Sequence, residues 1–240
     1  LRKIMEDQMF LDCFGCDVDY SLGNNFADFA SQFSKDSRYR TELYKLRRKF
    51  MSHADGLIHA DLHTSNILAS RDEMKVIDME FAFMGPFGYD LGYLVGNIIS
   101  QYCAACFKRF PSEQNRKQFK AYLLATIKSL IETYMKTFTL CWERSVKERY
   151  RGQQGLLQSI LQEVMVDMPG YASMVNWFRS VSDIPYPDFD VIENKDAKRN
   201  ATVLSLMIDW GIMFGRYKYQ SADDLIETII GIEEEFRKSL

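Results

Sequence analysis

Between Gly56 and Ile77 the apolar residues come in short runs, at 56–60, 66–69 and 74–77, with the polar turn Ser70-Arg71-Asp72-Glu73 between the last two. Runs this short, bounded by turn formers, are strands rather than helices, and the turn with its flanks predicts a small hairpin. On both sides the spacing is helical. Leu43, Leu46, Phe50 and Met51 recur at helical intervals within 37–53, and residues 1–55 as a whole read as charged and helical. Helical periodicity returns after the turn-rich Gly85-Pro86-Phe87-Gly88 and holds to the end, with breaks expected at Pro111, at 152–155, at Pro169-Gly170 and at 185–187. The expected fold is α+β and mostly helical: one α-rich domain with a short β insert, where the chemistry should sit.

With 47% hydrophobic and 26% charged residues, the 240-residue chain can bury a sizeable core and lies far from disordered compositions. A net charge of −3 offers no basic footprint for nucleic acid or anionic membrane. The most apolar stretch, 91–107, is interrupted by Asn97, Ser100, Gln101 and Tyr102, so no membrane span is expected. The start, Leu1-Arg2-Lys3-Ile4, has neither an initiator Met nor a signal-like apolar run, and the chain reads as a fragment of a longer one. Five cysteines, an odd number in a chain too large to need disulfide staples, fit free thiols in a reducing cytoplasm.

The residues that carry chemistry crowd into 59–90: His59-Ala60-Asp61-Leu62-His63-Thr64-Ser65-Asn66, then Asp78-Met79-Glu80, then Gly85-Pro86-Phe87-Gly88-Tyr89-Asp90. Phosphoryl transfer needs hard oxygen ligands for Mg²⁺ and one carboxylate to orient or accept the proton of the attacking hydroxyl. Asp61 just after one strand, Asn66 at the start of the next and Asp78 at the end of a third supply that set. Singly, Asp61 also suits a turn cap, Asn66 a loop closure and Asp78 an exposed strand end. Together, at these spacings, they favour the functional reading.

These blocks resemble the aminoglycoside phosphotransferase-like kinases. The resemblance is carried by residues 57–64, by Lys75-Val76-Ile77-Asp78-Met79-Glu80-Phe81-Ala82-Phe83 and by Gly85-Pro86-Phe87-Gly88-Tyr89-Asp90-Leu91-Gly92. Within that superfamily they are most similar to the methylthioribose kinases. The resemblance implies a protein-kinase-like C-terminal lobe over 1–240, in which the short β-hairpin insert carries the catalytic loop, without the N-terminal lobe that grips ATP. None of the thirteen glycines forms a Gly-x-Gly-x-x-Gly loop, and no Val-Ala-Ile-Lys-like strand is present.

By the same resemblance, Asp61 is the catalytic base and touches substrate. Asp78, Met79 and Glu80 bind Mg²⁺·ATP, with Asn66, Asp78 and Glu80 as metal ligands. His59 and His63 are supporting, read as buried hydrogen-bonding anchors, and Asp90 either caps its helix or braces the catalytic loop. Aligning Gly170-Tyr171-Ala172 with the family's Gly-Phe-Ala puts Phe178-Arg179 where an Arg pair reaches the substrate. Arg179 is then a substrate-binding candidate, weighed evenly against an exposed helical Arg, and Trp177 is core or pocket wall. Ala60 for Gly, Ser65-Asn66 for Gly-Ser and Phe178 for Arg depart from the family pattern. The implied partners are ATP, Mg²⁺, a small sugar and a second copy of the chain. Other small sugars, choline-like alcohols or aminoglycosides remain alternative acceptors, and a non-catalytic binding module is the alternative from another class. A zinc site from Cys13-Phe14-Gly15-Cys16 and Cys103-Ala104-Ala105-Cys106 is the rival metal reading.

Overall fold

A computed structural model describes residues 1–11, 35–181 and 186–240. Helix α1 (Arg2–Glu6) runs into a π-helical turn, Asp7–Leu11, and is followed by α2 (Ser37–Ser52). The β insert comes next: β1 (Gly56–Ile58), β2 (Ile67–Ala69), β3 (Met74–Val76) and β4 (Phe83–Gly85). The remainder is helical: α3 (Gly88–Phe107), α4 (Glu113–Ser145), α5 (Gln154–Val181), the short α6 (Pro187–Asp190), α7 (Lys195–Gly215) and α8 (Ala222–Ser239). The expected α+β, mostly helical class is what the chain adopts.

Local chemistry sets the ends of these elements. Asp36 accepts hydrogen bonds from the N–H groups of Arg38 (2.8 Å) and Tyr39 (3.2 Å), and Tyr39, Leu43, Leu46 and Phe50 then bury one stripe of α2. Ser112 and Asn194 cap α4 and α7, and Ser221 with Asp224 forms a capping box on α8. The predicted hairpin forms with Ile67 opposite Val76 and Ala69 opposite Met74. Its companion was not expected: β1 pairs antiparallel with β4, with Gly56 opposite Gly85, in a stretch whose Gly-Pro-Phe-Gly reads locally as a turn.

Helices α3 and α5 form the centre. On α3, a Cβ at Gly92 would lie 2.6 Å from the Met168 carbonyl oxygen, and one at Gly96 would lie 2.4 Å from that of Ala172, so only glycine permits this approach. One core lies among α3, α4, α5, α7 and α8; a second joins α1, α2 and β1 to Tyr171, Met174 and Trp177 of α5. Met165, Met168 and Met213 are buried core residues, and Trp177 is fully buried core.

The expected break at Pro169-Gly170 does not occur, and α5 runs through Pro169. A proline here removes one N–H and strains the preceding turn. Arg216 of α7 reaches into that turn and donates through Nη1 to the Val166 carbonyl (3.1 Å). Helix α3 ends at Phe107, ahead of the expected break at Pro111. No helix among the described residues is long and apolar enough to cross a membrane.

Candidate active site

The segment 59–66 leaves β1, crosses the first turns of α3 and enters β2. It begins with strained backbone: Ala60 has φ 69° and, further along, Asp78 has φ 64°. Among the described residues these are the non-glycine positions with positive φ, a conformation that costs about 1–2 kcal/mol per residue and persists only where surroundings impose it. At Ala60, where the family pattern has Gly, the reason is visible. The Asp90 carboxylate accepts from the N–H of His59 (2.7 Å) and of Ala60 (3.0 Å), turning two successive amides toward one anion. Asp90 is the third residue of α3, yet its carboxylate serves the loop and not its own helix end. Burial pushes its pKa up, against the pull of those two N–H donors.

His59 is buried and holds two pieces together. Its Nδ1 accepts from the Asp61 N–H (3.2 Å) and its Nε2 lies 2.8 Å from the Ile77 carbonyl, which fixes the neutral Nε2–H tautomer. The Ile77 N–H in turn donates to the Asn66 carbonyl (3.0 Å). Both backbone groups of Ile77 are thus tied to the loop, so Asp78, the next residue, is carried at a fixed distance along the chain from Asn66. Asn66 is buried and donates through Nδ2 to the Asp61 carbonyl (3.1 Å), which leaves its Oδ1 without a hydrogen-bond donor among the described residues.

Asp61 is half-buried. Tyr93 donates its hydroxyl to Oδ1 (2.7 Å), and His63 Nε2 stands 3.6 Å from Oδ2, beyond hydrogen-bond length. His63 is half-exposed and not the buried anchor expected of it. Asp78, Met79 and Glu80 are all exposed, in and just before a single 3₁₀ turn, Met79–Phe81.

Sequence reasoning missed Tyr93 and Asn97. Asn97 is fully buried on α3, and its Oδ1 accepts from both the N–H (3.0 Å) and the hydroxyl (2.7 Å) of Thr64. Asp90, Tyr93 and Asn97 are spaced by three and four residues, one face of a helix, and each grips a different part of the loop. Gln101, four residues further, donates to Asp188. The available signal was this polar spacing inside an otherwise apolar helix.

Arg179 is not an exposed helical Arg. Its Nε donates to Asp188 Oδ2 (2.6 Å), its guanidinium lies 4.3 Å over the Tyr186 ring, and the Asp188 carboxylate is buried. Phe178, at the position of the family's first Arg, packs edge-on against the same Tyr186 ring at 5.7 Å.

Hard oxygen donors are present for a divalent cation: the oriented Asn66 Oδ1 and the exposed carboxylates of Asp78 and Glu80. Among the described residues no three His, Cys, Asp or Glu side chains group together as a metal cage. A set of one amide and two carboxylates suits Mg²⁺, which keeps several waters and phosphate oxygens as ligands. The zinc rival fits less well. Cys103 and Cys106 are buried in α3, where burial pushes both thiols up, Cys106 to about 12, while metal binding needs thiolates. Cys13 and Cys16 lie outside the described residues.

Comparison with known proteins points the same way. Residues 24–130 match the phosphotransferase enzyme family known as APH. The chain is also similar to methylthioribose kinases over nearly its whole length. It is 32% identical to that of Geobacillus thermodenitrificans over 237 residues, 97% of this chain and 56% of the relative. It is 33% identical to that of Geobacillus kaustophilus over 228 residues, 93% of this chain and 54% of the relative, and 29% identical to one from Bacillus cereus strain B4264 over 226 residues. The resemblance read from the sequence blocks is borne out, and the likeness is to small-molecule kinases. The chain spans about half the length of the curated relatives it matches.

Proposed function

We propose that residues 1–240 form the C-terminal, acceptor-binding lobe of an ATP- and Mg²⁺-dependent small-molecule kinase. The reaction is phosphorylation of the 1-hydroxyl of S-methyl-5-thioribose, a step of methionine salvage, in a cytoplasmic homodimer. The observation that carries this reading is the Ile77 peptide, held by His59 on one side and Asn66 on the other. Through it the base candidate Asp61 and the metal-ligand candidates Asn66 and Asp78 belong to one braced unit, and strained backbone at Ala60 and Asp78 is confined to that unit.

In this reading the acceptor hydroxyl donates a hydrogen bond to Asp61, which orients it toward the γ-phosphorus and takes its proton as the new bond forms. Asn66 Oδ1, Asp78 and Glu80 would hold Mg²⁺·ATP, with Met79 contributing to the nucleotide site. Bound Mg²⁺ supplies charge neutralisation on the phosphate oxygens. Asp90 and His59 keep the loop in its strained form, and Arg179, fixed by Asp188 and Tyr186, offers its remaining guanidinium N–H groups to the acceptor.

The test is ADP release with Mg²⁺ and ATP, with and without methylthioribose, in the longest natural form of the chain. Sugar-dependent ADP is expected, and Asp61→Asn should keep the fold and lose turnover. Full activity in Asp61→Asn would remove Asp61 from the role. A second reading, a kinase for a different small alcohol, is favoured by Phe178, which replaces a charged donor by a buried ring. ADP release with other sugars or choline-like alcohols but not with methylthioribose would select it.

A further inference from the structure

The two oxygens of the Asp61 carboxylate are not equivalent. Oδ1 accepts the Tyr93 hydroxyl at 2.7 Å, whereas among the described residues Oδ2 has only His63 Nε2 nearby, at 3.6 Å. Tyr93 is buried on the second turn of α3, packed 6.0 Å from the Tyr89 ring, so its hydroxyl has a fixed place from which to donate. Desolvation pushes the phenol pKa well above its ordinary value, which keeps the hydroxyl protonated and a donor. The Asp61 backbone is held by other groups: its N–H donates to His59 Nδ1 (3.2 Å), and its carbonyl accepts from Asn66 Nδ2 (3.1 Å). Backbone and carboxylate therefore have separate anchors, and the carboxylate's anchor is a single hydroxyl.

We infer that Tyr93 is a positioning residue, which engages Asp61 Oδ1 and thereby presents Oδ2 alone to the acceptor hydroxyl. This rests on the reading of Asp61 as the group that orients the acceptor. In the step it serves, the acceptor oxygen bonds to the γ-phosphorus of a nucleoside triphosphate. The bond from that phosphorus to the bridging oxygen breaks, the nucleoside diphosphate leaves with the electron pair, and the hydroxyl proton passes to Oδ2. Without the Tyr93 hydroxyl the carboxylate is free to turn about its Cβ–Cγ bond, and fewer bound complexes hold Oδ2 in line. A misplacement of about 1 Å costs up to roughly a hundredfold in rate, so the effect should fall on kcat and not on binding.

The experiment compares the steady-state kinetics of Tyr93→Phe with those of the wild type, both as the full-length protein. Tyr93→Phe should lower kcat roughly 10- to 100-fold, with KM for acceptor and for ATP within about threefold of wild type. An unchanged kcat in Tyr93→Phe, or a rise in KM as large as the fall in kcat, would overturn the inference. If no acceptor is phosphorylated by the wild type, the functional reading itself fails, and a crystal structure of Tyr93→Phe still decides the positioning role. A reoriented Asp61 carboxylate supports it; a carboxylate in its original place refutes it.

Discussion

Replacing Asp90 by Ala tests whether the loop's strained form is imposed by α3. The carboxylate accepts from two N–H groups, of His59 at 2.7 Å and Ala60 at 3.0 Å, and both residues are buried. A hydrogen bond to a charged acceptor is worth about 1.5–3 kcal/mol, and the low end applies because burial of the carboxylate opposes the gain. Two such bonds give about 3 kcal/mol of local stability, roughly a hundredfold in the equilibrium for opening the loop. Ala cannot accept either bond, so in Asp90→Ala the exchange protection of the His59 and Ala60 amides should fall by about that factor. Asp90→Asn keeps one carbonyl oxygen and should lose about half of the free energy, roughly tenfold in protection. Hydrogen exchange followed by NMR reads both amides directly, with the α7 and α8 amides as internal controls for global unfolding. A loss below about threefold in Asp90→Ala would show that the positive φ at Ala60 is maintained by something other than this carboxylate.

Three further outcomes are expected. Gly96→Ala places a Cβ 2.4 Å from the Ala172 carbonyl oxygen and 2.9 Å from Val175 Cβ, so α3 and α5 must separate; a loss of about 2 kcal/mol, or roughly 4–8 °C in Tm, should appear by calorimetry, and an unchanged Tm would contradict the close approach. Arg179→Ala leaves the buried Asp188 carboxylate without its cation and should cost about 3–5 kcal/mol in urea unfolding, most of it recovered by Asp188→Asn in the same background; no recovery would mean that the loss is packing and not stranded charge. Burial opposes ionisation of Glu233, but hydrogen bonds from Lys120, Tyr102 and Arg237 outweigh it and hold the carboxyl down at about 2, so its contribution to stability is full above pH ~4.5 and lost as pH falls toward ~2. Glu233→Gln should flatten the acid limb of the stability–pH curve in that window, and an unaltered limb would remove Glu233 from acid unfolding.

What could be read from the sequence was whatever is written locally. The 70–73 turn between two apolar runs and the α2 stripe of Leu43, Leu46 and Phe50 depend on near neighbours, and each appears where it was expected. The parts that escaped depend on distant partners. β4 is three residues long and has no period of its own; it is a strand only because β1 lies beside it. Pro169 looks like a break until Arg216, forty-seven residues later, donates to the turn before it. Arg179 looks exposed on its helix until Asp188, nine residues later, accepts from its guanidinium.

The α3 face is the instructive case, because its signal was present and its meaning was not. Asp90, Tyr93, Asn97 and Gln101 interrupt an apolar helix at intervals of three, four and four, which is helical spacing and needs no structure to see. In a buried helix each such residue carries a desolvation cost that only a partner can offset. The partners turn out to be the His59 and Ala60 amides, the Asp61 carboxylate, Thr64 and Asp188. A stripe of buried polar side chains on one rigid helix thus specifies a facing loop point by point, so the geometry of 59–66 is set by the helix behind it. It follows that substitutions on α3 should disturb the site more than conservative changes at Ser65, whose side chain is exposed.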